Sequence, residues 1–361
     1  MKKNVFISFS LGNGSVSDYF ILLAEKLKNE YQVIIFSDTE IKEDTIIPSE
    51  IIVKYWPSKR PTKIADAFFL FRNIKEYKPV MTISVFGSVN MFLLIGFLCR
   101  IKIRIAWIRT LSSQFQQKKR LVYRKSLVYK LATNIISNSE ATRADAIKSY
   151  FIAKEKIKVL PNSVKNLYSE IKINSSNNLN VITYVGRLHK SKGVSILIEA
   201  FYKIHLLFPD FKLIIIGNGE EETNLKKLVY DLGIDSFVDF KGNLSKIEVL
   251  ENFKKSYMAV IPSLSEAFGY TVIEAMSMKT LVIGSNNTGI KEIIQDNKTG
   301  FLFESSNVDD LVKKITFAIQ HYELRDKLAL QGFTHFKNNY EVTLAADRDL
   351  SYFKSLIIKQ K

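Results

Sequence analysis

Two basic side chains, Arg187 and Lys192, form the first pattern in this sequence that could do chemistry. Both lie in the loop 186–193, which follows an apolar run and precedes a helical pattern that begins at Val194. Cations near a helix N-terminus oppose the helix dipole, so a purely structural role is disfavoured. A diphosphate would relieve that repulsion, with Arg187 as a forked donor and Lys192 as a point charge. The alternative is an ordinary solvated loop.

Two carboxylates, Glu266 and Glu274, lie in and after a turn that contains Gly269. The sequence there indicates the end of a strand, then the turn, then a helix that begins near the glycine. A carboxylate can accept two hydroxyl protons at once, which suits the vicinal diols of a ribose or a hexose. The alternative is a carboxylate favoured at a helix start by the dipole, which accounts for Glu266 but poorly for Glu274.

Glycine turns follow two other strand-like runs. Gly12 and Gly14 precede one predicted helix, and the triplet Gly217-Asn218-Gly219 precedes another. A glycine turn lets the backbone approach a ligand closely, and a helix start offers unpaired N–H groups to an anion. The first turn lacks the three glycines of a dinucleotide-binding fingerprint, so an ordinary tight turn is its alternative.

The motifs of the second half, taken together, resemble the donor half of the family-4 retaining glycosyltransferases (glycosyl transferases group 1), which have the GT-B fold. The resemblance covers about residues 130–320, whereas the residues before 130 match only in their layout. The segment Leu160-Pro161-Asn162-Ser163-Val164 continues the pattern but has Ser163 where the family usually has glycine. The other matching residues are Gly186-Arg187-Leu188, Lys192-Gly193, Gly217-Asn218-Gly219, Pro262-Ser263, Glu266, Glu274, Thr288-Gly289-Ile290-Lys291-Glu292 and Thr299-Gly300-Phe301-Leu302.

The resemblance implies a role for each residue of the site. Arg187 and Lys192 would hold the donor diphosphate and, with Glu266 at the transferred sugar, would carry catalysis. Glu274 would bind the ribose hydroxyls, and Gly14 would let a loop of the first domain close over the donor. The donor-binding set that the resemblance implies is Gly14, Arg187, Lys192, Gly217, Asn218, Phe268, Gly269, Tyr270, Thr271 and Glu274.

One departure from the family concerns the reacting carbon of the sugar. Many members have a histidine near it on the first domain, but His189, His205, His321 and His335 all lie in the second half of this chain. Arg109 occupies the comparable place, on the acceptor side, and an arginine cannot serve as a base near neutral pH. We therefore assign no general base, and catalysis would rest on leaving-group stabilisation and positioning.

The activity that the resemblance implies is retaining, metal-independent transfer of a hexose-type sugar from a UDP- or GDP-linked donor to a hydroxyl. The acceptor would be a glycan or a lipid-linked glycan, in the biosynthesis of a bacterial surface polysaccharide such as capsule or the lipopolysaccharide O-chain. No cofactor or metal is expected, because arginine, lysine and helix ends would meet the diphosphate charge. The alternative is a catalytically weak relative that acts as a partner subunit or anchor, which the intact acidic and basic site residues argue against.

The elements that must position these residues alternate between strand and helix along the whole chain. Several of the strand patterns are near-continuous Val, Ile and Leu runs, as is typical of strands buried on both faces. This alternation predicts an α/β architecture with two doubly wound, Rossmann-like parallel sheets that face each other across a cleft. The predicted strands are 4–10, 32–37, 51–56, 80–86, 103–108, 134–137, 157–160, 181–185, 212–216, 237–240, 258–261, 281–283 and 300–303.

The length of 361 residues also indicates two domains. The polar segment 166–180 predicts a linker between an acceptor domain over 1–165 and a donor domain over 181–335, with a helix over 336–361 that returns to the first domain. The single cysteine, Cys99, excludes an internal disulfide framework and favours the reducing cytoplasm.

Positive charge is concentrated in the first half of the chain. The net charge is +16, and residues 1–179 contain 29 Lys and Arg against 14 Asp and Glu. No acidic residue occurs between Glu76 and Glu140. Such a field attracts anionic lipid, phosphate-bearing substrates or nucleic acid, with solubility alone as the alternative. Nucleic acid is disfavoured, because the basic residues are not interleaved with a stacking-aromatic signature.

Membrane contact is expected to be peripheral, at the inner face of the cytoplasmic membrane. The segment 115–131, read as a helix, is basic and amphipathic, with an apolar stripe that is expected to pack on the sheet. The segment 80–99 is the one candidate for a membrane span, but a strand, a turn at Gly87-Ser88 and a buried helix explain it as well. The first residues do not form a signal peptide, because their apolar run is too short.

Overall fold

The computed structural model describes residues 2–12, 14–40, 46–114, 119–172 and 179–359. They form two compact units: unit 1 is Met1–Lys165 with Val342–Lys361, and unit 2 is Asn166–Glu341. The chain therefore returns to unit 1 at Val342, six residues later than the expected 336, because the preceding helix stays with unit 2. Of the expected linker 166–180, residues 173–178 lie outside the described part of the chain.

Unit 1 contains a seven-stranded parallel sheet in the order β3-β2-β1-β4-β5-β6-β7. The strand order reverses beside β1, and in doubly wound sheets ligands bind at the carboxyl ends of strands at such a reversal. The strands are β1 (Lys3–Ser8), β2 (Tyr31–Ser37), β3 (Ile52–Tyr55), β4 (Met81–Val85), β5 (Ile103–Ile108), β6 (Asn134–Ser137) and β7 (Ile157–Val159).

Helices cover both faces of this sheet because successive strand side chains point in opposite directions. Val5 and Ile7 pack in the same core as α1 and α12, whereas Phe6 packs with α2 and α3. A further cluster joins α3, α4 and α5 to β5 and β6. The helices of unit 1 are α1 (Ser15–Leu27), α2 (Ile64–Tyr77), α3 (Val89–Leu98), α4 (Lys119–Lys130), α5 (Glu140–Tyr150) and α12 (Val342–Ile358).

Unit 2 contains a six-stranded parallel sheet in the order β10-β9-β8-β11-β12-β13. Its strands are β8 (Leu179–Val185), β9 (Lys212–Ile216), β10 (Val238–Gly242), β11 (Ser256–Ile261), β12 (Leu281–Ser285) and β13 (Phe301–Phe303). Its helices are α6 (Val194–Leu207), α7 (Glu222–Asp231), α8 (Lys246–Lys255), α9 (Tyr270–Ser277), α10 (Val308–Gln320) and α11 (Tyr322–Asn339).

The predicted α/β architecture is confirmed, and each predicted strand is present with its ends shifted by no more than two residues. The segment 80–99 is β4, a short 3₁₀ turn over Phe86–Ser88 and α3, so the strand–turn–helix alternative is confirmed. The expectation that this helix is buried is wrong in part, because Leu94, Phe97 and Leu98 are 48%, 50% and 66% exposed. None of the helices described here is both long and apolar enough to cross a membrane.

The basic segment 115–131 is only partly described, because 115–118 lie outside the described residues. The rest forms α4, as predicted, but its apolar residues are divided between two environments. Val122 packs against the core beneath the helix. Leu121 and Leu127 remain 40% and 46% exposed, so the expectation that the whole stripe packs on the sheet is wrong.

Candidate functional site

The loop 186–193 of unit 2 is held against the end of β11 by a glycine. Gly193 has φ +62° and is the N-cap of α6. A Cβ atom at this position would overlap the carbonyl oxygen of Pro262. Only glycine combines this left-handed conformation with so close an approach. The loop that contains Arg187 and Lys192 is thus seated on the turn that contains Glu266.

Backbone hydrogen bonds join these two loops. The amide of Leu264 donates to the carbonyl of Ser191 at 2.8 Å, and the amide of Ser265 donates to the same oxygen at 3.3 Å. The Ser191 amide in turn donates to His189 Nδ1 at 3.0 Å. The strand ends of β8 and β11 therefore present one connected surface, although their loops are far apart in sequence.

Lys192 and Glu266 meet on this surface. Lys192 Nζ donates to Glu266 Oε2 at 2.5 Å, and the two side chains are 24% and 15% exposed. The sequence indicated a cation whose repulsion by the helix dipole only a ligand would relieve. That argument is incomplete, because Glu266 already offsets the charge from the neighbouring loop. An ammonium has three donors, so Lys192 can bind an anion while it keeps this pair.

Arg187 is exposed at the end of β8. Within the described residues, its guanidinium belongs to no ion pair. Its carbonyl oxygen accepts a 3.1 Å hydrogen bond from the Tyr184 hydroxyl. Burial raises the pKa of Tyr184, and the Glu266 carboxylate raises it further, so this hydroxyl stays protonated. Tyr184 was not predicted as a site residue, because in sequence it is one more apolar residue of a buried strand.

An open pocket of about 350 Å³ lies at the carboxyl ends of β8 and β9. Gly217 lines the pocket, and its amide donates to the Gly242 carbonyl at 2.8 Å. The pocket combines backbone of two glycine turns with the Arg187 side chain and one apolar wall, as small-molecule sites commonly do. Its lining residues are Val185, Gly186, Arg187, Ile216, Gly217, Asn218, Asn243, Leu244 and Val249.

The start of α9 positions the remaining donor-side residues. Gly269 is its N-cap, with φ +109°, and Tyr270 and Thr271 are its first two residues. Phe268 is buried and packs its ring 5.8 Å from that of Tyr270. Glu274 lies more than a turn further on and is half-buried. The N-terminal end of a helix favours negative charge, so this end is suited to a phosphate or a polarised sugar oxygen.

The two predicted residues of unit 1 lie at carboxyl ends of its strands. Gly14 is the N-cap of α1 with an ordinary φ of −126°, and among the described residues no atom beyond its chain neighbours and its own helix backbone lies within 4 Å of the position of a Cβ. The fold itself therefore does not require glycine there. Arg109 is buried, with its guanidinium 5.7 Å from the Trp107 ring centroid and 6.0 Å from those of Phe20 and Phe86.

The histidines have structural contacts. His189 Nδ1 accepts from the Ser191 amide at 3.0 Å, and its Nε2 lies 3.5 Å from Glu220. The His205 ring packs against that of Phe237 in a tilted arrangement, with ring centroids 3.8 Å apart. Among the described residues, no group of three or more His, Cys, Asp and Glu side chains is arranged to hold a metal ion.

The segment that contains these loops is similar to a known family. Residues 169–334 match the family model of the glycosyl transferases group 1. An uncharacterised glycosyltransferase of Haemophilus influenzae is 32% identical over 144 residues, which are 40% of either chain. The capsular polysaccharide biosynthesis glycosyltransferase CapM of Staphylococcus aureus is 29% identical over 225 residues, or 58% of either chain. The chain spans about half the length of these curated relatives.

Solved structures match over nearly the whole chain. The crystal structure of HepE from Anabaena in complex with UDP has a TM-score of 0.81 at 18% identity, covering 98% of this chain and all of that one. Sucrose-phosphate synthase from Thermosynechococcus elongatus has a TM-score of 0.80 at 16% identity, covering 99% and 100%. At such identities the likeness shows the fold. The chain therefore has the GT-B fold of two Rossmann-like units, and its residues 169–334 match the glycosyl transferases group 1.

Proposed function

We propose that this chain is a retaining glycosyltransferase that moves a sugar from a nucleotide diphosphate donor to a hydroxyl of a glycan or a lipid-linked acceptor. The observation that carries the proposal is the Lys192–Glu266 pair, which lies on joined loops at the carboxyl edge of the sheet of unit 2. One side chain of the pair is suited to phosphate and the other to sugar hydroxyls.

The donor would lie along this edge. The pocket beside Arg187 and Asn218 is of a size to take a nucleobase. Glu274 would accept both ribose hydroxyls, and Arg187, Lys192 and the start of α9 would surround the diphosphate. Structures of the fold neighbour HepE contain UDP, UDP with glucose, and UDP-glucose, so UDP is the first nucleotide to test, with GDP as the alternative.

Transfer would proceed without a metal and with retention of anomeric configuration. The bond between the anomeric carbon and the diphosphate oxygen breaks, and the acceptor oxygen bonds to the same face of that carbon. The acceptor proton passes to the departing phosphate oxygen, so no protein base is needed. Arg187, Lys192 and helix N–H groups stabilise the charge that develops on the leaving diphosphate. Glu266 would fix the position of the sugar through its hydroxyls.

The acceptor would be a polysaccharide precursor at the inner face of the cytoplasmic membrane. Support comes from the similarity to CapM, whose name places it in capsular polysaccharide biosynthesis, and from the strongly basic first half of the chain. Anionic lipid attracts a protein segment with such an excess of Lys and Arg. The alternative function is a subunit that binds a donor or a partner but transfers poorly.

Calorimetric titration of the purified chain with UDP and GDP tests the donor site directly. We expect one of them to bind and to raise the melting temperature, because a ligand of the folded state stabilises it. Release of that nucleotide from its sugar conjugates, with or without a glycan acceptor, then tests transfer. Failure of both nucleotides to bind would overturn the donor site. Binding without any release would favour the subunit alternative.

A further inference from the structure

Six large apolar side chains form an exposed surface on two neighbouring helices of unit 1. We call it the α2–α3 apolar surface. In α2 the residues recur at helical spacing, turned away from the face on which Leu70 and Ile74 are buried in the core. Members and exposures are Ile64 77%, Phe68 61%, Phe71 42%, Leu94 48%, Phe97 50% and Leu98 66%.

The helices α2 and α3 pack against each other, and basic side chains lie over their exposed apolar residues. Lys75 of α2 lies over the Phe71 ring, with Nζ 5.4 Å from its centroid. Burial raises the pKa of the Cys99 thiol at the end of α3, and the Lys75 ammonium partly offsets that shift, so Lys75 lies near the end of α3. Arg104 lies over Phe97, with Cζ 5.5 Å from the ring centroid. Basic groups thus border the apolar residues.

The charges around this surface are almost all of one sign. Arg72, Lys75, Arg100 and Lys102 are exposed beside it, and Glu76 is the one acidic residue exposed on α2. The sequence has no acidic residue between Glu76 and Glu140. Apolar groups bordered by cations, on helices that lie along a surface, are the pattern of proteins that rest in the interface of an anionic bilayer.

We propose that the α2–α3 apolar surface inserts into the acyl region of an anionic membrane, with the bordering lysines and arginines on the lipid headgroups. The inference rests on the proposed function, which gives the chain a lipid-linked acceptor. Insertion differs from attraction by charge, because the apolar side chains of this surface leave water and enter the acyl region. α2 and α3 have 14 and 10 residues, so they lie along the membrane and do not cross it.

Insertion and charge attraction respond differently to salt. The basic helix α4 attracts headgroups through solvent, and such attraction is screened as ionic strength rises. Burial of phenylalanine and leucine in acyl chains is not screened. We therefore expect part of the binding to anionic vesicles to persist at high salt, and that part to depend on the α2–α3 apolar surface.

The test is co-sedimentation of the full chain with phosphatidylglycerol–phosphatidylcholine vesicles at low and high salt. The variant is Phe68→Ser with Leu98→Ser, which removes one exposed side chain from each helix. A matched control is Leu206→Ser with Leu207→Ser, two leucines of α6 in unit 2 that are 67% and 61% exposed. We expect the first variant to lower vesicle affinity roughly ten-fold or more, and the control to leave it unchanged.

A second measurement uses Cys99, the single cysteine of the chain. An environment-sensitive fluorophore on this thiol, next to Leu98, should shift to the blue when anionic vesicles are added. Equal vesicle affinity of the Phe68→Ser/Leu98→Ser variant and the parent chain would overturn the proposal. The proposal would also be overturned if the parent chain self-associates without lipid and this variant does not. The α2–α3 apolar surface would then join two copies of the chain. UDP titration of the same variant keeps the donor site separate: unchanged UDP affinity shows that a lost vesicle affinity concerns docking alone.

Discussion

At the residue scale, Lys192 is the side chain whose removal tests the site most directly. We expect Lys192→Ala to weaken UDP binding by about 1.5–3 kcal/mol, roughly a ten- to hundred-fold rise in dissociation constant, because a charge-assisted contact to the diphosphate is lost. Calorimetric titration measures the effect. Lys190→Ala is the matched control, since Lys190 is exposed in the same short 3₁₀ turn. Equal affinities of the two variants would show that Lys192 does not contact the diphosphate.

The two carboxylates should separate nucleotide binding from turnover. Glu274→Gln should lower UDP affinity, because an amide accepts hydrogen bonds on one side only and loses one ribose hydroxyl. Glu266→Gln should keep UDP affinity and lower the rate of sugar transfer, because Glu266 is assigned to the sugar. Titration with UDP and a nucleotide-release assay, run on both variants, give the comparison. The reverse pattern would exchange the roles that we assign to these residues.

Sequence alone indicates which residues belong to the site but not how they pair. Arg187, Lys192 and Glu266 stand out because each lies where a strand pattern gives way to a helix pattern. The Lys192–Glu266 pair does not, because 74 residues separate its members and only the order of β8 and β11 in the sheet brings them together. The role of Tyr184 is hidden for a similar reason, since its hydroxyl partner lies in a turn beyond the strand.

At the element scale, the junction between β8 and α6 depends on Gly193. Gly193→Ala should destabilise unit 2 by more than the roughly 1 kcal/mol that a left-handed alanine costs, because its Cβ would also overlap the Pro262 carbonyl. Gly233→Ala is the control: Gly233 has φ +67°, but in the described part of the chain no atom beyond its immediate neighbours lies within 4 Å of its Cβ position. Thermal unfolding should show a clearly lower melting temperature for Gly193→Ala than for Gly233→Ala. Similar melting temperatures would mean that the loop can move away from β11.

Element identities were predictable because parallel strands buried on both faces must be apolar throughout. The ends of the strands were less predictable, because they depend on the last hydrogen bond to a neighbouring strand. β1, for example, ends at Ser8, whereas the strand predicted from the sequence extends to residue 10. The exposed stripe of α2 was also not predicted, because periodicity shows that a helix has an apolar face without showing that two faces are apolar.

At the scale of the whole molecule, a buried carboxylate anchors α12 to α1. Asp349 is fully buried and accepts hydrogen bonds from the Tyr19 hydroxyl at 2.6 Å and from Arg348 Nε at 2.7 Å. Burial raises the pKa of Asp349 despite these partners. The folded chain thus holds this proton more tightly than the unfolded chain, so the contribution of Asp349 to stability falls as pH rises through its raised pKa.

Asp349→Asn removes this titration. The variant should therefore gain stability relative to the parent chain as pH rises from about 4 towards neutrality. Its free energy of unfolding, minus that of the parent chain, should increase over this range. Urea unfolding followed at several pH values gives both curves. A difference between the curves that is independent of pH, or that changes in the opposite direction, would show that Asp349 is ionised in the folded state at acidic pH.

The position of α12 has a consequence for how the chain is made. Val342, Ala345, Phe353 and Ile357 of this helix complete the core of unit 1, yet they follow the whole of unit 2 in sequence. The ribosome therefore finishes unit 2 while the α1 face of unit 1 is still uncovered. Unit 1 can complete its core only after all of unit 2 has been synthesised. Nascent chains arrested after residue 341 should have a protease-resistant unit 2 and an exposed, chaperone-binding face on unit 1. The order of synthesis and the order of completion are thus reversed for the two halves of this molecule.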